Sequence, residues 1–268
     1  MSEGAIDELL PLVHGTAGVW VHGVDLRCDP AVEAACQALL DEEERARAAR
    51  FKMAEPRRQF VITRGALRFL LARHLARPAH ALRFAEGPHG KPFAVVDGAA
   101  SSVEFNVSHG AGRGLIAITR APIGVDIEFL GREADFCLVA KGVLTAAEQR
   151  ALKGKAGAER AKLFYRLWTQ KEALIKAKGM GFACPPRGFA VPDALREGAC
   201  SALFTFPGED HQLAGHRPFR GRLGRRAGLR AAIGTPGSAS TTAFCVSGRS
   251  GTSFLVLYGN LIFQFSSN

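Results

Sequence analysis

The sequence has no CxxC pair, no cluster of Cys and His at metal-ligand spacing, and no apolar run approaching the roughly 20 residues that cross a bilayer. Each absence removes a class. The six cysteines, at positions 28, 36, 137, 184, 200 and 245, are scattered, which favours reduced, mostly buried thiols over a disulfide or zinc framework. Acids stand in MSEGAIDELLPLV where a signal peptide needs a basic start, so the chain is expected in the cytoplasm and off the membrane. What it does have is bulk: 268 residues, 47% of them hydrophobic, enough for one large domain or two small ones.

The formal charge is +10, and residues 208 to 268, with seven Arg and two acids, carry half of it. A moderately basic body suits an anionic partner: nucleic acid, a nucleotide-like cofactor or an acidic protein. The Arg/Gly-rich GHRPFRGRLGRRAGLR and the small, polar GTPGSASTTAFCVSGRSGTS predict a flexible tail with at most one strand.

From Asp41 to Ala76 the pattern is helical, with Pro56 suited to start a second helix. On a helical wheel Arg57, Arg64 and Arg68 fall within about 40° of one another, so they form either a solvated basic face or a phosphate-binding one. A Gly/Pro-rich loop, GPHGKPF, carries Lys91. SVEFNVSH alternates, with Val103, Phe105 and Val107 opposite Glu104, Asn106 and Ser108, the signature of a half-buried strand. GLIAIT and IGVDIEF, separated by Arg120-Ala121-Pro122, predict a hairpin. A third helix runs from Ala161 to Lys178 and closes on Gly179. Its apolar stripe holds Leu163, Leu167, Trp168, Leu174 and Ile175, and Glu172 and Lys176 share a face just beyond the stripe's edge. Lys171 falls inside the stripe, where it must snorkel out or meet an anion.

Two carboxylates interrupt the strand IGVDIE. Residues two apart in a strand lie on one face, roughly 7 Å apart. Asp126 and Glu128 are harmless if that face is open to water; if it is covered they require a cation or a proton. With no Cys or His nearby, a hard ion such as Mg²⁺ suits them, and Glu172 is the candidate third ligand.

At this point IGVDIE and, 40 residues on, LWTQKEALIKAKGMG resemble the paired signature of the 4'-phosphopantetheinyl transferases of the surfactin-synthetase-activator (Sfp) type. RRQFVITRGALR, HGKPF, FNVSHG and Leu144-Thr145-x-x-Glu148 resemble the same family, in the family's order, over about Asp41 to Phe189. The resemblance implies an α+β fold of two similar α/β-sandwich halves about a pseudo-twofold axis, here 1–115 and 116–207, with the atypical tail at 208–268. It implies coenzyme A in the cleft between the halves, and transfer of its phosphopantetheine to a serine of an apo acyl or peptidyl carrier protein, with release of 3',5'-ADP. Asp126, Glu128 and Glu172 would hold Mg²⁺. Glu172 would be ligand, proton acceptor or both, and Lys176 would meet the phosphates. Lys171, Lys91, Ser108, His109, Arg47 and Arg57 would contact the coenzyme. The resemblance further implies a monomer with no nucleic-acid partner. A nucleic-acid-binding protein built on the arginines, and an inactive homologue that binds carrier or coenzyme, are the competing readings. The strands with which that family closes its second half are not recognisable in 208–268.

Overall fold

The computed structural model describes residues 3–16, 18–110, 112–128, 133–197, 204, 206, 240–247 and 253–260. In chain order its elements are α1 (Glu3–Leu9), β1 (Leu12–Thr16), β2 (Val19–Asp25), α2 (Pro30–Ala38), α3 (Glu42–Ala49), α4 (Ala54–Leu75), β3 (Leu82–Glu86), β4 (Pro92–Val96), β5 (Ala99–Ala100), β6 (Glu104–Gly110), β7 (Arg113–Thr119) and β8 (Ile123–Ile127). They continue with α5 (Glu133–Val143), α6 (Ala146–Lys153), α7 (Gly157–Lys178), α8 (Asp193–Arg196), β9 (Ser240–Ser247) and β10 (Ser253–Asn260). The protein is α+β. No helix among the described residues is long and apolar enough to cross a membrane.

Helix starts follow local chemistry. Asp29 accepts from Ala31 N ahead of Pro30 at the first turn of α2. Asp41 and Glu44 form a reciprocal capping box on α3, and Thr145 and Glu148 do the same on α6. Each capping-box helix is followed by a 22-residue helix, α4 or α7, that ends on a left-handed residue, Ala76 or Gly179.

An antiparallel sheet in the order β1-β2-β7-β6 packs one face against α4. Ile116 and Ile118 of β7 face Val61, Ile62, Ala66 and Leu70 of α4. Its alternate residues, Leu115 and Ala117, face Ile123, Val125 and Ile127 of β8. A strand apolar on both faces needs cover on both, and this overturns the expected hairpin. After Pro122 the chain leaves the sheet, and β8 lies against it as the first strand of a separate β8-β10-β9 ladder, parallel to β10. The tail therefore supplies two strands where at most one was predicted; residues 207–239, which include the Arg/Gly-rich run, lie outside the described residues.

Helix α7 is buried on most of its circumference. Phe164, Tyr165 and Leu167 join Phe136 and Leu144 in one cluster, while Ala173, Leu174 and Ala177 meet Cys184 and Phe189 in another. Its contact with β8 leaves no room for a side chain: a Cβ on Gly124 would stand 1.9 Å from Ala173 O. Gly65 plays the matching part in α4, where a Cβ would stand 2.5 Å from Cys36 of α2.

Candidate functional site

Strand β6 alternates as the sequence predicts, but on its polar side Asn106 and Ser108 are buried while Glu104 reaches water. Asn106 Oδ1 accepts from Val125 N at 2.8 Å, and Ser108 Oγ accepts from Ile127 N at 3.3 Å. These two backbone groups flank Asp126, so β6 side chains set the position of that carboxylate. Asp126 is 3% exposed. Its Oδ1 accepts from Ser108 Oγ at 2.9 Å and from Lys176 Nζ at 2.6 Å, and its Oδ2 is buried without a partner. The pair of buried Asp126 and half-buried Lys176 joins β8 to α7.

A cleft of about 600 Å³ opens on the other side of Lys176, lined by Lys91, Asn106, Trp168, Glu172, Ile175 and Lys176 among others. Asp126, Ser108 and Glu128 stand behind this wall, reaching it through Lys176 and Trp168. Glu128 Oε1 accepts from Trp168 Nε1 at 2.9 Å. Burial, then the charges of Asp126 and Glu128, push the Glu172 carboxyl above the ordinary range, with Lys176 opposing. Burial also raises Glu128, offset by the Trp168 bond. His109 is pushed below the usual imidazole value by desolvation and then by the Lys176 charge. The three acids thus feel one another across the site.

They do not, however, close on one point: among the described residues no group of three His, Cys, Asp or Glu converges closely enough to hold a metal ion. Mutual repulsion accounts for the spacing, with the Lys176 ammonium as the cation between them. The donor set nonetheless suits a hard divalent ion, because it is all oxygen, carries three charges and includes the partnerless Oδ2 of Asp126.

The raised Glu172 acid gives a stability prediction. A carboxyl whose folded pKa exceeds its unfolded value destabilises the fold in its charged form. That penalty is absent below the ordinary carboxylate range and grows as the pH rises through the folded value. Glu172→Gln is therefore expected to melt a few degrees higher than the parent at pH 7 without divalent ions, and to lose the advantage near pH 4. A lower midpoint at pH 7 would remove the proposed strain.

Other residues sit where the sequence reading did not put them. Lys171 does not face the cleft. It is fully buried, 2.9 Å from Glu148 Oε2, and donates to the carbonyls of Pro186 and Phe189. The anion it meets is internal, which corrects the expected coenzyme contact. Lys91 lines the cleft, but its ammonium is held by Ile123 O at 3.2 Å, Ala177 O at 3.3 Å and Glu104 at 3.6 Å. Arg57 Nη2 lies 3.4 Å from Gln37 Oε1, and Arg47 stacks over Phe60; neither lines the cleft. The arginine face of α4 is not a free phosphate surface: Arg68 is buried against Asp41, Glu44 and two carbonyls, and Arg64 reaches Glu44 at 3.5 Å. Sequence reasoning missed Asn106 as a site builder, although its alternation with Ser108 placed it on the right face.

Two family models match. One described as the 4'-phosphopantetheinyl transferase superfamily covers residues 122–217, and one described as the 4'-phosphopantetheinyl transferase N-terminal region covers 29–119. A Synechocystis sp. protein that carries the transferase name provisionally is 41% identical over 148 residues, 55% of this chain and 60% of its own length. The 4'-phosphopantetheinyl transferase HetI of Nostoc sp. is 36% identical over 147 residues, 54% of this chain and 62% of its own. The transferase ffp of Bacillus subtilis is 32% identical over 164 residues, 57% of this chain and 71% of its own. The chain thus spans about three fifths of the first two relatives.

Proposed function

We propose, from the premise that the chain belongs to the 4'-phosphopantetheinyl transferase superfamily, that it moves phosphopantetheine from coenzyme A to a serine of an apo acyl or peptidyl carrier protein, releasing 3',5'-ADP. The observation that carries this reading is the wall of the cleft, where α7 presents Glu172 and Lys176 one turn apart and Lys176 reaches the buried Asp126 of β8 at 2.6 Å.

The serine oxygen forms a bond to the phosphorus next to the pantetheine arm, the bond from that phosphorus to the departing ADP oxygen breaks, and the serine proton must go to a base. Asp126, Glu128 and Glu172 would hold a divalent ion such as Mg²⁺, which when bound supplies charge stabilisation to the pyrophosphate. Lys176 stands on the cleft wall with its ammonium on Asp126 and Ser108, and would meet a phosphate oxygen brought up to that wall. Glu172 is the group best placed to take the proton, directly or through a water it orients, and burial, which raises its pKa, makes it a stronger base than an ordinary carboxylate. It serves as ligand, base or both. Lys91 bridges Ile123 and Ala177 and holds the loop against the cleft.

The two halves, 1–115 and 116–207, are read as an internal duplication. Each pairs a capping-box glutamate, Glu44 or Glu148, with a cation of its long helix, Arg64 or Lys171. Cys28 and Cys36 are free thiols, in keeping with the reducing cytoplasm. The test is mass spectrometry of a small panel of apo carriers incubated with enzyme and coenzyme A. Each served carrier is expected to gain one phosphopantetheine, and only with a divalent ion; no gain on any carrier would sink the reading.

A further inference from the structure

We propose that Trp168 is a positioning residue whose indole N–H fixes Glu128 in the orientation that offers its second oxygen to a divalent cation. This rests on the metal-assisted reading above and goes beyond it, because Trp168 donates no ligand itself.

Glu128 lies one residue past the end of β8, so the ladder does not set its backbone and its side chain has three torsions to lose. Among the described residues one hydrogen bond restrains it: Trp168 Nε1 donates to Oε1 at 2.9 Å. The donor is held in turn. Trp168 sits on α7, between Leu167 at 0% exposure and the fully buried Thr169, and packs against the cluster of Phe136, Phe164 and Tyr165 while its other side lines the cleft. Within that cluster Phe136 and Phe164 stack at 4.4 Å between centroids. The indole therefore occupies one carboxylate oxygen and leaves the other uncommitted by that bond. Partners of this kind, which orient a ligand without binding the ion, are worth about 10–100-fold in metal affinity. The alternative is that Glu128 only satisfies a half-buried indole N–H, in which case cation affinity would not depend on it.

Three variants and two readouts separate these. Trp168→Phe keeps an aromatic ring packed against that cluster and removes the N–H. By calorimetry it is expected to bind Mg²⁺ about tenfold more weakly than the parent, with the Mg²⁺ concentration for half-maximal transfer rising by more than kcat falls. In a Trp20→Phe variant, Trp168 is the single tryptophan of a chain that has two. Its emission is expected to shift on Mg²⁺ addition, and the response to disappear when Glu128→Gln is added. Unchanged Mg²⁺ affinity in Trp168→Phe, or a Trp168 emission blind to Mg²⁺ in protein that binds the ion, would overturn the proposal while leaving the transferase reading intact. A parent protein that neither binds Mg²⁺ nor modifies any carrier would overturn both. Should Trp168→Phe fail to fold, the emission titration decides alone.

Discussion

Asp126→Asn is expected to lower the rate of carrier modification by roughly 10³-fold or more, with the fold retained, the size of effect that follows when charge stabilisation worth several kcal/mol is removed from phosphoryl transfer. The substitution keeps the size and shape of the side chain, and its oxygen can still accept from Ser108 and Lys176. What vanishes is the negative charge at a position 3% exposed, with one oxygen on the Lys176 ammonium and the other buried without a partner. A neutral amide leaves Lys176 less firmly placed and takes away a hard-ion donor. Single-turnover mass spectrometry with saturating Mg²⁺ and coenzyme A measures the effect. A rate within tenfold of the parent would remove Asp126 from the chemistry and leave it as a structural anchor for α7.

Lys171→Met is expected to have the largest effect on stability, about 3–5 kcal/mol, the cost of leaving one member of a buried ion pair alone. Both partners are at 0% exposure. Glu148 cannot swing out to water, because its oxygens also accept from Thr145 N and Val191 N, each at 2.8 Å. The lysine in turn caps two carbonyls, those of Pro186 and Phe189, so its loss frees the turn that follows α7. Denaturant unfolding measures the loss, and Lys171→Met combined with Glu148→Gln is expected to recover most of it, since the lone charge is then gone. Equal instability of the single and double variants would show that methionine packing, not charge, is at fault.

These two residues also mark how far the sequence could be read. Asp126 was legible because it sits beside Glu128 in a strand of otherwise apolar character, and local periodicity assigns a face without any knowledge of the fold. Glu172 and Lys176 were legible for the same reason on a helix, and they do line the cleft. Lys171 was legible only as an anomaly: its place in the apolar stripe demanded that it snorkel out or meet an anion, and the anion it meets is Glu148, which only packing brings near. The arginines of α4 repeat the lesson, since a one-sided basic face looks the same on paper whether water, phosphate or Glu44 lies over it. The break between β7 and β8 was misjudged because Arg120-Ala121-Pro122 is equally good chemistry for a hairpin and for a crossing into another layer. The partner of β8 begins roughly 130 residues further along the chain, beyond the reach of any local pattern.

Asn106 and Ser108 do for one edge of β8 what a neighbouring strand does for the other. Each of these two rungs is a single side-chain oxygen, so each can let go by a rotamer change without unzipping a ladder. The amide hydrogens of Val125 and Ile127 are thus guarded by torsional freedom in β6 rather than by the cooperative melting that guards a paired backbone. Their deuterium exchange would clock the breathing of the joint between the layers separately from global unfolding.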